Sequence, residues 1–265
     1  MSAADQPVFA ERPDVLGHRG LGKGVVEGYA ENTIDSLTAA LAAGVDWVEL
    51  DVSRSSDDVL VVHHNPATAD GRFLIDRTAA ELASAGIATL DEVLEALPEE
   101  VAIDFDLKPV LEDATGPVEA TTAGLLLPVL RRELPRRRLL LTTFDVAALG
   151  WLRDELPGLP CGLLTWLDFP LRIAVPMAAR FGAAVVGLHY RSFSANPVEP
   201  GPVHRDLATN LAVAHGAGLE VLAWCPGETE IGALIAAGVD AVTVNDVPRM
   251  APLVRAIRDL QVPAR

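Results

Sequence analysis

Trp47-Val48-Glu49-Leu50-Asp51-Val52-Ser53-Arg54-Ser55-Ser56-Asp57-Asp58-Val59-Leu60-Val61-Val62-His63-His64 is the stretch that decides the fold. It holds two β-rich runs, 46–52 and 59–64, parted by a short polar segment. Ser55-Ser56-Asp57-Asp58 is turn chemistry, and a parallel crossover needs a dozen residues or more. The two runs must therefore pair as an antiparallel hairpin. A turn centred between Asp57 and Asp58 sets Asp51 opposite His64. Elsewhere, β-rich runs alternate with Ala/Leu-rich helical stretches. Strands are predicted near 14–18, 46–52, 59–64, 101–107, 138–143, 160–164, 184–188, 219–224 and 240–244. Helices are predicted near 33–43, 78–84, 89–97, 117–134, 145–155, 169–181, 203–217, 228–237 and 247–258. Such alternation implies βα units and a parallel sheet buried on both faces. With one hairpin arm set aside, eight strands remain. The expected fold is α/β: a TIM-like (β/α)8 barrel with a small β-hairpin extension at the C-terminal rim.

The 265 residues carry no linker, low-complexity tract or composition shift, so one barrel domain over 1–265 is expected. Ala42-Ala43-Gly44-Val45-Asp46 and Ala236-Ala237-Gly238-Val239-Asp240 echo one another, each a helix end with a glycine cap followed by a strand. A net charge of −16 argues against a nucleic-acid groove and against a polybasic membrane anchor. The basic cluster Arg131, Arg132 and Arg136-Arg137-Arg138, split by Pro135, reads as a solvated helix end. Cys161 and Cys225 are too few for a disulfide framework and fit a reducing compartment. No signal peptide or membrane span is legible. The expected setting is cytoplasmic.

Three scraps place charge at the ends of apolar strands: Gly17-His18-Arg19-Gly20, Glu49-Leu50-Asp51 and His63-His64-Asn65. Ionised groups there cost several kcal/mol unless paired or metal-bound. Glu49 and Asp51 share one face of a strand. Either a divalent cation lies between them or they pair with Arg or Lys on the rim. All-oxygen ligands suit Mg²⁺ or Ca²⁺. Asp104, Asp106 and Lys108 repeat the alternation, with Asp106 the candidate third ligand. Lysine is scarce, confined to Lys23 and Lys108, so Lys108 is either a phosphate contact or half of a structural Lys–Asp pair. Arg19 suits phosphate. His18 and His64 are the candidate acid–base pair. His63 reads as structural or supporting, and His189, His204 and His215 as bland. Asn32 or Thr33 caps a helix. Glu31 either braces Arg19 or meets the substrate. The glycine-rich 20–28 loop is either mobile or an anion contact. Trp224 is a pocket wall or rim packing. The 191–202 segment reads as a long rim loop.

Together these residues resemble the glycerophosphodiester phosphodiesterase family. The likeness runs through His18-Arg19-Gly20, Glu31-Asn32-Thr33, Glu49-Leu50-Asp51-Val52 and Val61-Val62-His63-His64. It continues through Thr89-Leu90-Asp91-Glu92-Val93-Leu94, Asp106-Leu107-Lys108, Trp224 and Gly238-Val239-Asp240. It is strongest over 15–66 and weaker after about 145. The resemblance implies a barrel holding a divalent metal on Glu49, Asp51 and Asp106. It implies catalytic histidines at His18 and His64 and phosphate contacts at Arg19 and Lys108. The small-molecule substrate would be a glycerophosphodiester, cleaved to sn-glycerol 3-phosphate and an alcohol. In the mechanism usually drawn, one histidine deprotonates the glycerol hydroxyl, which attacks phosphorus, and the other protonates the leaving alcohol. A cyclic phosphate is then hydrolysed.

The chain departs from the family pattern at Ala30 (commonly Pro), Asn65 (Asp), Asp106 (Glu), Cys225 (Thr) and Val244-Asn245 (Thr-Asp). The 66–88 insertion is short, which implies an open pocket. Two alternatives stand beside glycerophosphodiester hydrolysis. One is a lysophospholipase D on the same site, which an apolar groove near 164–176 or 191–202 would favour through Trp166, Phe169 and Phe193. The other is a non-catalytic phosphodiester-binding barrel. A phosphoinositide-type phospholipase C would not require the full carboxylate set.

Overall fold

The computed structural model describes residues 7–193 and 205–261. Eight parallel strands close a barrel: β1 (Asp14–Gly17), β4 (Trp47–Arg54), β6 (Ala102–Leu107), β7 (Leu139–Thr143), β8 (Cys161–Leu164), β9 (Val185–His189), β10 (Glu220–Trp224) and β11 (Ala241–Val244). Closure comes from β1, which pairs with β11 on one side and with β4 on the other. The ninth predicted strand, β5 (Leu60–Val62), runs antiparallel to the last residues of β4, as the hairpin reading required.

The hairpin register is one residue away from expectation. Val52 pairs with Val62, so Asp51 faces His63, whose amide donates to the Asp51 carbonyl at 3.0 Å. The cause is the turn. Ser55 and Val59 close a three-residue loop with Asp58 in the left-handed region at φ 59°, and an odd loop shifts every partner by one. A second, unpredicted hairpin pairs β2 (Val25–Val26), within the glycine-rich loop, with β3 (Tyr29–Ala30), just after it.

Helices α1 (Ile34–Ala42), α2 (Ala79–Ala83), α3 (Leu90–Ala96), α4 (Thr122–Glu133), α5 (Val146–Glu155), α6 (Leu171–Arg180), α7 (Leu207–Gly216), α8 (Glu228–Ala237) and α9 (Val247–Gln261) fill the connections. Polar caps set their starts. Thr33, not Asn32, caps α1. Thr78 and Thr89 form capping boxes with Glu81 and Glu92. The helix predicted from 117 begins only at Thr122, because Thr121 is extended and accepts the Gly124 amide, leaving a short 3₁₀ turn before it. Among the described residues, no helix is long and apolar enough to cross a membrane.

Two apolar layers hold the barrel. The larger lies between strands and helices. The smaller fills the barrel floor with Phe9, Leu16, Trp47, Ala102, Leu140, Val185, Leu222 and Ala241. Side chains alternate along a strand. Counting by twos from the floor therefore lifts Trp47 to Glu49 and Asp51, and Ala102 to Asp104 and Asp106. The register sets Glu49 beside Asp104 and Asp51 beside Asp106.

Candidate active site

Three carboxylates meet at the C-terminal mouth. One oxygen from each of Glu49, Asp51 and Asp106 lies within 4.8 Å of the others. All three residues are buried, and Asp51 is fully so. Glu49 Oε2 accepts the Arg19 amide at 2.7 Å. Asp51 Oδ2 accepts from Asn32 Nδ2 at 2.7 Å. Glu49 Oε1, Asp51 Oδ1 and Asp106 Oδ1 have no hydrogen-bond partner. Lys108 Nζ comes to 3.0 Å from Asp51 Oδ1 as an ion pair and also bonds Asp106. Asp104 sits one layer deeper, where Thr142 Oγ1 donates to it at 2.9 Å.

The first strand ends in a tight turn that delivers His18 and Arg19. Gly20 has φ +93°, and a Cβ there would lie 2.6 Å from Ser36 Oγ on α1. Only glycine lets the turn press against that helix. Arg19, itself at φ 56°, sends its guanidinium to Glu31 Oε1 at 2.9 Å and to Asp51 Oδ2 at 3.4 Å. Glu31 thus braces Arg19, and its other oxygen takes the Gly24 amide of the glycine-rich loop. His18 Nε2 lies 3.9 Å from Glu49 Oε2. His18 Nδ1 lies 2.5 Å from Asn245 Oδ1. His64 is half-buried with Nδ1 3.0 Å from Asn65 Oδ1, and burial lowers its pKa against the pull of Asp51.

The other half of the mouth is aromatic. Phe144 stacks on Trp166 at 4.5 Å and meets Trp224 edge-on at 6.3 Å. His189 packs on Trp224 at 4.3 Å. Lys108 Nζ lies 5.5 Å from the Phe144 ring centre, linking the charged half to the aromatic one. Trp224 therefore stands in the mouth, and its Nε1 is buried without a partner. His189, read as bland, is part of the packing around Trp224. It is buried at a strand end against Trp224, and burial with the nearby Arg191 charge lowers its pKa to about 4.

A sequence profile of the glycerophosphoryl diester phosphodiesterase family matches residues 18–249. The chain belongs to that family. A 60-residue stretch is 40% identical to glycerophosphocholine phosphodiesterase GDE1 of Eremothecium gossypii, covering 21% of this chain and 4% of that protein. Over 86 residues it is 36% identical to glycerophosphocholine phosphodiesterase gde1 of Schizosaccharomyces pombe, covering 31% of this chain and 7% of that protein. The match thus spans a small part of these curated relatives. Among solved structures, the Thermotoga maritima glycerophosphodiester phosphodiesterase shares 24% identity at a TM-score of 0.70, over 91% of this chain and 98% of that one. An Oleispira antarctica phosphodiesterase in complex with the product sn-glycerol-3-phosphate shares 23% identity at 0.72, over 96% and 100%. Both likenesses bear on the fold.

The electrostatics of this family member's mouth are those of crowded, buried charge. Burial, with Asp51 and Asp106 nearby, pushes Glu49 well above the ordinary carboxylate range. Burial raises Asp106 to about 6 against the pull of Lys108. Burial also works against Asp51, but Lys108, His64 and Arg19 outweigh it and hold Asp51 low. Burial works against a charged Lys108, and Asp106, Asp51 and Glu49 overcome it, so the ammonium persists. A divalent cation suits this donor set. Three buried carboxylates converge, each with an oxygen that accepts no hydrogen bond, and burial together with their mutual repulsion raises Glu49.

Several site residues escaped the sequence reading. The sequence presents Asn32 as a possible cap, yet its amide holds Asp51. Cys225 and Asn245 were noted only as departures, yet both touch His18. Phe144 went unremarked. The rim-loop expectation for 194–202 and His204 lie outside the described residues.

Proposed function

We propose that this chain hydrolyses glycerophosphodiesters to sn-glycerol 3-phosphate and an alcohol, with His18 and His64 as the proton carriers. The observation that carries this reading is the convergence of three buried carboxylates, each with an oxygen that accepts no hydrogen bond, beside two imidazoles, an ammonium and a guanidinium. Glu49, Asp51 and Asp106 would hold one Mg²⁺ or Ca²⁺. When bound, such an ion neutralises phosphate charge and orients the substrate hydroxyl. Lys108 and Arg19 bind the phosphate oxygens, and Glu31 keeps the Arg19 fork in place. One imidazole accepts the glycerol hydroxyl proton as that oxygen bonds to phosphorus. The other donates a proton as the P–O bond to the alcohol breaks. Water then opens the cyclic phosphate, with the two proton roles reversed. Trp224 walls the site. The acidic chain, with no legible nucleic-acid groove, fits a small-molecule substrate, and its two free thiols fit a cytoplasmic setting.

The test is release of glycerol 3-phosphate from glycerophosphocholine. Release should stop in EDTA and return with Mg²⁺ or Ca²⁺. No release with either metal, or undiminished release in EDTA, refutes the proposal. One observation favours a second reading, a lysophospholipase D. Trp166 is 66% exposed and Leu167 53% exposed beside the mouth, an apolar ledge suited to an acyl chain. Under that reading Trp166→Ala lowers turnover of lysophosphatidylcholine but not of glycerophosphocholine.

A further inference from the structure

The imidazole of His18 has two nitrogens in different surroundings. Nε2 faces the carboxylates, 3.9 Å from Glu49 Oε2. Nδ1 faces Asn245 Oδ1 at 2.5 Å, and the Cys225 thiol sits 3.3 Å from that same oxygen and 3.5 Å from Nδ1. An amide oxygen can only accept, and the thiol beside it can donate. The proton of a neutral His18 therefore belongs on Nδ1, leaving the Nε2 lone pair toward the site.

Asn245 is built to hold that position. It follows β11, and its backbone is tied to the strand-end turn that carries His18. The Val244 carbonyl accepts the His18 amide at 3.2 Å, the Asn245 carbonyl accepts the Lys23 amide at 3.1 Å, and the Leu21 carbonyl accepts the Val247 amide at 2.9 Å. Gly22, at φ +150°, lets the two segments touch; a Cβ there would lie 2.7 Å from the Asn245 carbonyl carbon. The acceptor and the imidazole are thus fixed on one rigid pair of segments.

We propose that Asn245 is the positioning residue of His18, fixing it as the Nδ1–H tautomer so that Nε2 exchanges protons with the substrate. The proposal rests on the glycerophosphodiesterase reading and refines it. An orienting partner of this kind changes activity by about 10–100-fold.

The test uses the Mg²⁺-loaded full chain. Asn245→Leu removes the acceptor at similar volume and should lower kcat about 10–100-fold with KM unchanged. Asn245→Asp keeps an acceptor oxygen and should restore most of kcat. In a His18→Ala background Asn245→Leu should cost nothing further, since the two act as one unit. Long-range proton–nitrogen correlation spectra of histidine-labelled wild type should show His18 protonated at Nδ1. An Nε2–H tautomer overturns the proposal, whether or not any variant folds. So does full kcat in folded Asn245→Leu, or an equal loss in both backgrounds. Absence of glycerol 3-phosphate release by wild type refutes the functional reading instead, and the tautomer still judges Asn245.

Discussion

The two ends of the barrel both bury carboxylates, and they treat them in opposite ways. At the floor Asp14, Glu220 and Asp240 each accept from several donors. Asp14 accepts the Ala10 and Glu11 amides at 3.2 and 2.6 Å and Trp47 Nε1 at 2.7 Å. Glu220 accepts the Val8 and Phe9 amides at 2.6 and 3.0 Å, so the entering chain plugs the barrel. Asp240 accepts the Val221 amide and His215 Nε2 at 2.8 and 2.7 Å. At the mouth, Glu49, Asp51 and Asp106 each keep an oxygen with no hydrogen bond. A buried carboxylate is tolerated when donors surround it. The floor spends its carboxylates on cohesion. At the mouth three oxygens accept no hydrogen bond, one of them facing the Lys108 ammonium, and that deficit marks the site.

The sharpest way to break this contrast is at the histidines. His64→Ala should lower kcat at least about 100-fold, the usual scale of a lost acid–base group, while the urea midpoint stays put. Full turnover would remove His64 from the mechanism. The floor should behave in reverse. Asp14→Ala strands the buried Trp47 indole N–H and releases two amides, and should cost about 3 kcal/mol of stability with KM and kcat unchanged in the folded fraction. A loss of activity without a loss of stability would reverse the assignment of the two ends.

Asp106 tests the mouth by pH. Its folded pKa is raised to about 6, first by burial. In the metal-free protein the folded state therefore holds a proton that the unfolded chain, near 3.8, has released. Stability from this group is present at low pH and is lost as pH rises between those values, on the order of 2–3 kcal/mol. The urea midpoint in EDTA should fall from pH 5 to 7.5 by less in Asp106→Asn than in wild type. The same proton competes with a cation, so Mg²⁺ affinity by calorimetry should weaken as pH drops through 6. Flat affinity from pH 8 to 5.5 would exclude Asp106 as a ligand.

How much of this was legible beforehand follows from the physics of each signal. Glu49, Asp51, Asp106 and Lys108 could be read because strand alternation is local and ionised groups at apolar strand ends are costly. The barrel could be read because a six-residue gap forbids a parallel crossover. The hairpin register could not, since it turned on whether the loop held two residues or three. Asn32 reaches Asp51 and Asn245 reaches His18 across 19 and 227 residues of sequence. Counting by twos from the floor residue Ala241 lands on Asn245, and from Leu140 on Phe144. That signal was present, but it needs the floor level of each strand, which only closure of the barrel sets.

The gentlest test of the contrast is His215. Its ion pair with Asp240 is short, yet the imidazole is 38% exposed. Asp240 also keeps the Val221 amide and Arg12, whose Nη1 lies 3.4 Å from Oδ1. Removing His215 therefore leaves no buried charge uncompensated, and water can replace it. His215→Ala should cost no more than about 1 kcal/mol, the scale of a solvent-screened pair, with kcat unchanged. A floor that is over-supplied with donors must absorb this loss. If the urea midpoint drops as far as in Asp14→Ala, the floor carboxylates are held by single contacts rather than by redundancy, and donor supply would no longer distinguish the barrel's two ends.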